Sequence, residues 1–163
     1  LQTIARMRPD RIVISAGPGH PKDAKLANTL LRSYTHPPSL TQTPVLGVCL
    51  GHQCMAHVFG GTSYIGLAPE VRHGKTSEIF HDVPSPFLAA RYHSLIVKKL
   101  PKDFELLCWT GSQKKPELMM GMRHKMRPIV GVQFHPESFL TEHGERLMRN
   151  FLAPSPDGEG NVL

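Results

Sequence analysis

The side chain with the most chemistry in this 163-residue chain is the thiol of Cys49. It ends a short apolar run, Pro44-Val45-Leu46-Gly47-Val48, and is followed at once by Leu50-Gly51-His52-Gln53 and a helix-compatible segment that stops at Gly60-Gly61. An apolar run of that length bounded by proline reads as a buried parallel strand, so Cys49 falls on the tight turn between a strand and a helix N-terminus. Such a turn is a nucleophile elbow, which exposes a reactive side chain at the end of a sheet. The partial positive charge of the free N–H groups there favours thiolate over thiol, and the thiolate is the reactive form. A lone cysteine behind an apolar strand is more often structural, because free cysteines are among the most buried residues. A second stretch, Gly131-Val132-Gln133-Phe134-His135-Pro136-Glu137-Ser138, raises Cys49 above that expectation, since here too a strand-like run ends in a reactive residue. His135 and Glu137 stand two apart and would share one side of an extended segment, so the carboxylate can orient an imidazole that serves the thiol.

The rest of the composition narrows the field. Three cysteines, Cys49, Cys54 and Cys108, are an odd number without CxxC spacing, which argues against both a disulfide framework and a zinc site. The net charge of +6 comes from basic residues scattered in ones and twos, such as Lys98-Lys99 and Lys114-Lys115, without interleaved aromatics. That is a solvated surface, not a nucleic-acid face. Of ten histidines, only His93 and His135 sit in stretches with any other chemical signal. No apolar run approaches the roughly 18 residues of a membrane span, and nothing resembles a secretory signal, so a soluble cytoplasmic protein without a membrane partner is expected. At 40% hydrophobic residues and seven Phe, the chain should form one globular domain over residues 1–152, with the Pro- and Gly-rich residues 153–163 as a loose tail.

The elements that must position these side chains follow from periodicity. Residues 11–15 read as a buried strand, which implies a further strand before it, and Ala16-Gly17-Pro18-Gly19-His20-Pro21 reads as a loop. Its glycines would let backbone N–H groups approach a ligand or a developing oxyanion. A helix over residues 23–34 places Leu26, Leu30, Leu31 and Tyr34 on a core-facing stripe, and a surface connection over residues 35–43 leads to the strand before Cys49. Alternating strands and helices argue a parallel sheet whose ligands bind beyond the strands' carboxyl ends. After Gly61 the pattern shortens to strands at 76–80, 95–97, 104–109, 118–122 and 129–134, with turns at residues 83–86 and 110–112, an antiparallel extension of the sheet. Thr141 can N-cap a last helix with Leu147, Met148, Phe151 and Leu152 facing the core. The fold class is therefore α/β, a mainly parallel sheet flanked by helices with an antiparallel extension.

Three motifs taken together, the Gly47 to Gln53 stretch, the Gly131 to Ser138 stretch and Gly17-Pro18-Gly19, resemble the class I (triad) glutamine amidotransferases, over about residues 11 to 152. His73-Gly74-Lys75-Thr76-Ser77 and Arg91-Tyr92-His93-Ser94-Leu95 are similar to the glutaminase components of anthranilate synthase and aminodeoxychorismate synthase. The carbamoyl-phosphate and GMP synthetase glutaminases share the triad but not this pair of stretches. Two departures stand out: Ala16 replaces a common proline, and the family's first strand and following helix would precede Leu1.

The resemblance implies that Cys49 attacks the side-chain amide of glutamine, that His135 takes and later returns the proton, and that Glu137 holds His135 in its productive tautomer. It implies an oxyanion hole from the backbone N–H groups of Gly19 and Leu50, and a glutamine pocket of Gly17, Pro18, Gly19, Gln53, Ser94 and Leu95. His73 and Lys75 would belong to a contact surface for a chorismate-using synthase subunit. No metal or cofactor is expected in this chain, Mg²⁺ being expected only on that partner. Two other function classes stay open on the residues: a peptidase or γ-glutamyl hydrolase with the same elbow, and a catalytically silent regulatory subunit.

Overall fold

The computed structural model describes residues 1–35, 43–81 and 86–153 of the chain. Three short apolar runs lie side by side in parallel: β1 (Ile12–Ile14), β2 (Val45–Val48) and β7 (Ile129–Val132), with β2 in the middle. Beyond β7 the sheet continues antiparallel through β6 (Lys115–His124), β5 (Phe104–Ser112), β3 (Ile65–His81) and β4 (Phe87–Val97). The strand order is β1-β2-β7-β6-β5-β3-β4. Helices α1 (Gln2–Met7), α2 (Lys25–Arg32), α3 (Leu50–Gly60) and α4 (Gly144–Leu152) complete the α/β architecture.

Period-two alternation along the central strands divides the core. Leu46, Val48, Val130 and Val132 pack with Phe134, Leu147 and Phe151 on one face. Val45 and Ile129 pack with Leu30, Leu31, Tyr34 and Met55 on the other. On this second face the alternation places Gly47 opposite Gly131 in register. A Cβ on Gly47 would lie 2.6 Å from the Gly51 carbonyl carbon, and one on Gly131 would lie 2.8 Å from His52 Nδ1. Gly51 in turn has its Cα so close to β1 that a Cβ would lie 2.2 Å from the Ile14 carbonyl oxygen. These three glycines let the first turn of α3 rest directly on the sheet.

Several local expectations are corrected. The run at residues 11–15, read as buried, forms a short strand at the sheet edge, with Val13 42% exposed, because β1 pairs on one side only among the described residues. In α2, Leu30 and Leu31 are buried but Leu26 is exposed, since Asn28 takes the inward position and donates to the Pro21 carbonyl at 2.8 Å. Leu152 is likewise exposed at the end of α4, where the Arg11 guanidinium caps the Phe151 and Ala153 carbonyls at 3.0 and 3.3 Å. Thr141 does not cap α4, whose N-cap is His143 at φ 60°. Residues 110–112, read as a turn, continue β5, and Gln113-Lys114 make the hairpin turn instead. β3 and β4 are much longer than the segments read from sequence, because their hairpin pairs over most of its length with register shifts on either side of Arg72 and His73. Residues 36–42 of the expected surface connection, most of the expected turn at residues 83–86 and the tail from 154 onward lie outside the described residues.

The glycine contacts give a stability prediction. Gly47→Ala forces a Cβ against backbone that cannot yield like a flexible side chain, so it should cost about 1–3 kcal/mol, the usual range for overpacking. A urea titration would show this as a lower midpoint at unchanged slope.

Candidate active site

The elbow forms where β2 hands over to α3. Cys49 adopts φ 51° and ψ −98°, a strained backbone for a residue with a Cβ. Its amide donates to the Val132 carbonyl at 2.8 Å and its carbonyl accepts from Gln53 N at 3.1 Å, so the strand ladder on one side and the helix on the other hold the strain in place. The Leu50 backbone N–H faces the sulfur. Gly17, on the loop after β1, lies against Leu50: a Cβ there would be 3.3 Å from Leu50 Cδ2. Gly19 follows at φ 93°, a conformation that favours glycine.

The parallel pairing of Val48 with Val132 brings the chain after β7 level with the elbow. The strand read to residue 134 stops at Val132, and His135 and Glu137 lie on an irregular segment and turn closed by Ser138 N to the His135 carbonyl at 3.2 Å. The turn, not an extended segment, therefore brings the two side chains together, with His135 Nδ1 and Glu137 Oε1 2.7 Å apart. A carboxylate can only accept here, which puts a proton on Nδ1 and, in the neutral ring, makes Nε2 the acceptor. Nε2 is buried and hydrogen-bonded to nothing among the described residues. β4 fixes this segment from the far side. His135 N donates to the Ala90 carbonyl at 3.1 Å, while Thr141 Oγ1 donates to the His135 carbonyl at 2.6 Å and accepts from Ala90 N at 3.0 Å. The Tyr92 ring meets the imidazole edge-on at 5.0 Å.

An elbow cysteine beside a carboxylate-oriented histidine is a unit for covalent acyl transfer. A family model described as glutamine amidotransferase class-I matches residues 1–154. The chain belongs to the class I glutamine amidotransferases. It is 42% identical over 167 aligned residues to an anthranilate synthase component 2 from Methanocaldococcus jannaschii, covering 93% of this chain and 79% of that protein. It is 41% identical over 161 residues to the aminodeoxychorismate synthase component 2 of Escherichia coli, covering 93% and 80%. Among solved structures, a putative GMP synthase protein from Thermoplasma acidophilum shares the fold, with a TM-score of 0.71 at 23% identity over 95% of this chain and 73% of that one.

In this amidotransferase the charge balance at the thiol differs from the sequence expectation. Burial pushes the Cys49 thiol up to about 11, assisted by the negative charge of Glu137, and outweighs the Leu50 N–H and the Gln133 side chain, which pull it down. The resting residue is thus a neutral thiol, not a thiolate: with only 7% of its surface exposed, loss of hydration exceeds what the helix end returns. His52, on the first turn of α3, is fully buried, makes no well-formed side-chain hydrogen bond among the described residues, and is pushed by burial down to about 3 against the opposing Gly131 backbone, so it stays neutral.

The other anticipated residues gather on two sides of Cys49. Gly17, Pro18 and Gly19 are exposed on the loop beside the elbow. Gln53 is buried on α3 and donates to the Leu95 carbonyl at 2.8 Å, so it and the Ser94-Leu95 segment of β4 are held together. The side chain of His73 lies outside the described residues, and Lys75 is exposed on β3. Three participants were missed from sequence: Thr141, Tyr92 and Gln133, whose Nε2 donates to Cys49 Sγ at 3.6 Å. Gln133 stands two residues before His135, as Glu137 stands two after, and that spacing was the available signal. A cavity of about 670 Å³ lined by Glu70, Ser77, Glu78, Arg91 and Glu117, among others, includes none of the triad residues. Among the described residues no three His, Cys, Asp or Glu side chains converge to hold a metal ion.

Burial and acidity order the cysteines. Cys54 and Cys108 are wholly buried, and burial raises both thiols, that of Cys54 to about 12. Iodoacetamide should therefore alkylate Cys49 first, slowly at pH 7 and faster as pH rises through 9 toward 11, as peptide mass mapping would show. First labelling at Cys108 would reject the site.

Proposed function

We propose that this chain is the glutaminase subunit of a chorismate-using synthase, supplying ammonia for anthranilate formation. The observation that carries the glutaminase half is the strained elbow cysteine facing the Leu50 N–H, beside a histidine whose Nδ1 is held by Glu137 at 2.7 Å. In this reading glutamine's side-chain amide carbon docks over Cys49. The thiol proton passes to His135 Nε2 as the S–C bond forms, and the amide oxygen, now negative, is received by the N–H groups of Leu50 and Gly19. His135 returns the proton to the departing nitrogen as the C–N bond breaks, releasing ammonia and leaving a glutamyl thioester. Water, deprotonated by the same imidazole, hydrolyses the thioester to glutamate. Gly17, Pro18, Gln53, Ser94 and Leu95 hold the amino-acid end, and no metal or cofactor enters these steps.

The partner is supported by the relatives. Proteins named as second components of anthranilate synthase and of aminodeoxychorismate synthase match at 42% and 41% identity over 93% of the chain. Anthranilate synthase component 2 is the more frequent name among the most similar relatives. The aminodeoxychorismate reading stands beside it, because the product is decided by the synthase partner. Identifying the synthase that co-purifies separates them. The described residues contain no helix long and apolar enough to cross a membrane. A cytoplasmic location is part of the proposal and rests on the proposed substrate and partner.

Three substitutions test the chemistry. Cys49→Ser should abolish glutamate release. His135→Ala should lower kcat by roughly 10²–10⁴, the range for a general base. Glu137→Ala should lower it less, because a poorly oriented base still acts part of the time, and equal losses would give Glu137 a different role. A fourth test concerns coupling. Ammonia released into neutral water is protonated and no longer nucleophilic, so release is useful only when a partner is docked to receive it. Glutaminase kcat should rise markedly on addition of chorismate and the synthase partner, and activity already maximal in the isolated chain would favour a free-standing hydrolase.

A further inference from the structure

Behind Cys49 runs a chain of polar groups whose direction leaves no choice. Gln133 is fully buried, its Oε1 accepting from Gln53 Nε2 at 3.1 Å and its Nε2 facing Cys49 Sγ at 3.6 Å. Either amide could in principle be turned over, but the next link forbids it. The Leu95 carbonyl can only accept, and it lies 2.8 Å from Gln53 Nε2, so the Gln53 nitrogen must face it. That nitrogen's second proton then requires an oxygen on Gln133, which turns the Gln133 NH₂ group to the sulfur. The same carbonyl lies 3.0 Å from His93 Nδ1, which must therefore carry a proton and leaves Nε2 of the neutral ring as an acceptor. Arg91, which has no acceptor, fills that place with its Nε at 3.1 Å. His93 and Arg91 are both buried, so the order is set by a permanent cation and by backbone.

We propose that Gln133 is a further residue of the catalytic centre, holding the Cys49 sulfur with an N–H and stabilising the negative charge that develops as the thiol proton leaves, while Gln53, His93 and Arg91 act as positioning residues that fix its orientation. The inference rests on Cys49 being the nucleophile of the proposed reaction. A donor here is needed because the sulfur is otherwise desolvated and close to the Glu137 carboxylate, with the Leu50 N–H as the other group favouring the charged form. The titratable and charged groups on the elements around the elbow are His135 and Glu137 after β7, His52, Cys54 and His57 on α3, and Arg91, Tyr92 and His93 on β4. Of these His52 is held neutral by burial and His93 by its hydrogen bonds, so neither supplies a compensating positive charge, and the Arg91 guanidinium donates to His93 and Ser77.

The test reads the thiol directly, without glutamine. The pH dependence of Cys49 alkylation by iodoacetamide is measured in the full chain, alongside glutaminase kcat, for Gln133→Met, which keeps the volume and removes the donor, and for Gln133→Glu, which keeps the shape and places an acceptor at the sulfur. Melting curves report folding. Gln133→Met should move the alkylation inflection upward and slow the reaction at pH 8 about 10-fold, in keeping with the loss of one hydrogen bond to a charged group. Gln133→Glu should slow it at least as much once its carboxylate is ionised, and His93→Leu should shift the profile in the same direction by less. A wild-type alkylation profile in either folded Gln133 variant overturns the proposal, even if kcat falls, because a purely structural role would spare the thiol. A shifted profile in a chain that hydrolyses no glutamine would uphold the role of Gln133 and reject the glutaminase reading instead.

Discussion

Everything at this site depends on how near the first turn of α3 can come to the sheet. The approach is set by what is absent: with no side chain at Gly47, Gly51 or Gly131, backbone meets backbone at β2 and β1, and the His52 ring and Met55 sulfur settle against β7. Only at that distance can Cys49 turn from strand to helix with its amide still on the Val132 carbonyl and its carbonyl already in the first helical hydrogen bond. The positive φ at Cys49 costs on the order of 1–3 kcal/mol. It persists because the ladder and the helix both over-determine it, and its consequence is a sulfur at the top of the sheet beside the Leu50 N–H.

The second half of the site is fixed differently. His135 lies on irregular chain, which by itself would leave the ring free to wander. Its constraint comes from β4, separated from β7 by three strands in sheet order, through Ala90, Thr141 and the edge-on Tyr92 ring, while the Leu88 backbone N–H donates to Glu142 at 2.7 Å. The antiparallel extension therefore does more than widen the sheet. Its last strand holds the His135 segment through Ala90, and the same strand carries Leu95, to which Gln53 is tied. Cys49, His135 and Gln53 come from segments that are remote in sequence, and β4 braces the last two.

The contrast explains what could be read from the residues. The elbow was legible because it is local: an apolar run, a cysteine and a glycine in a few successive positions leave few alternatives. The paired glycines of β2 and β7 were visible as letters, but their purpose depends on register, which no local pattern gives. Val13 was misread because an apolar strand looks the same at an edge as in the centre. Thr141 was taken for a helix cap because Ser and Thr favour both helix starts and turn carbonyls, and here the His135 carbonyl won the competition. Leu26 lost the inward position to Asn28, whose amide satisfies a carbonyl that an apolar side chain could not.

The electrostatic reading was the one place where a sound local rule gave the wrong sign. A helix N-terminus does favour a thiolate, but the same close packing that builds the elbow strips water from the sulfur, and desolvation is the larger effect. With the thiol pushed up to about 11, forming the thiolate at pH 7 before attack is uphill by about 5 kcal/mol at roughly 1.4 kcal/mol per pKa unit. In the proposed reaction the proton would pass to His135 Nε2 as the S–C bond begins to form, when charge moves from sulfur to the amide oxygen. In that reading the cysteine stays a neutral thiol until a substrate carbonyl occupies the site, and the donors around the sulfur set how much of the barrier remains.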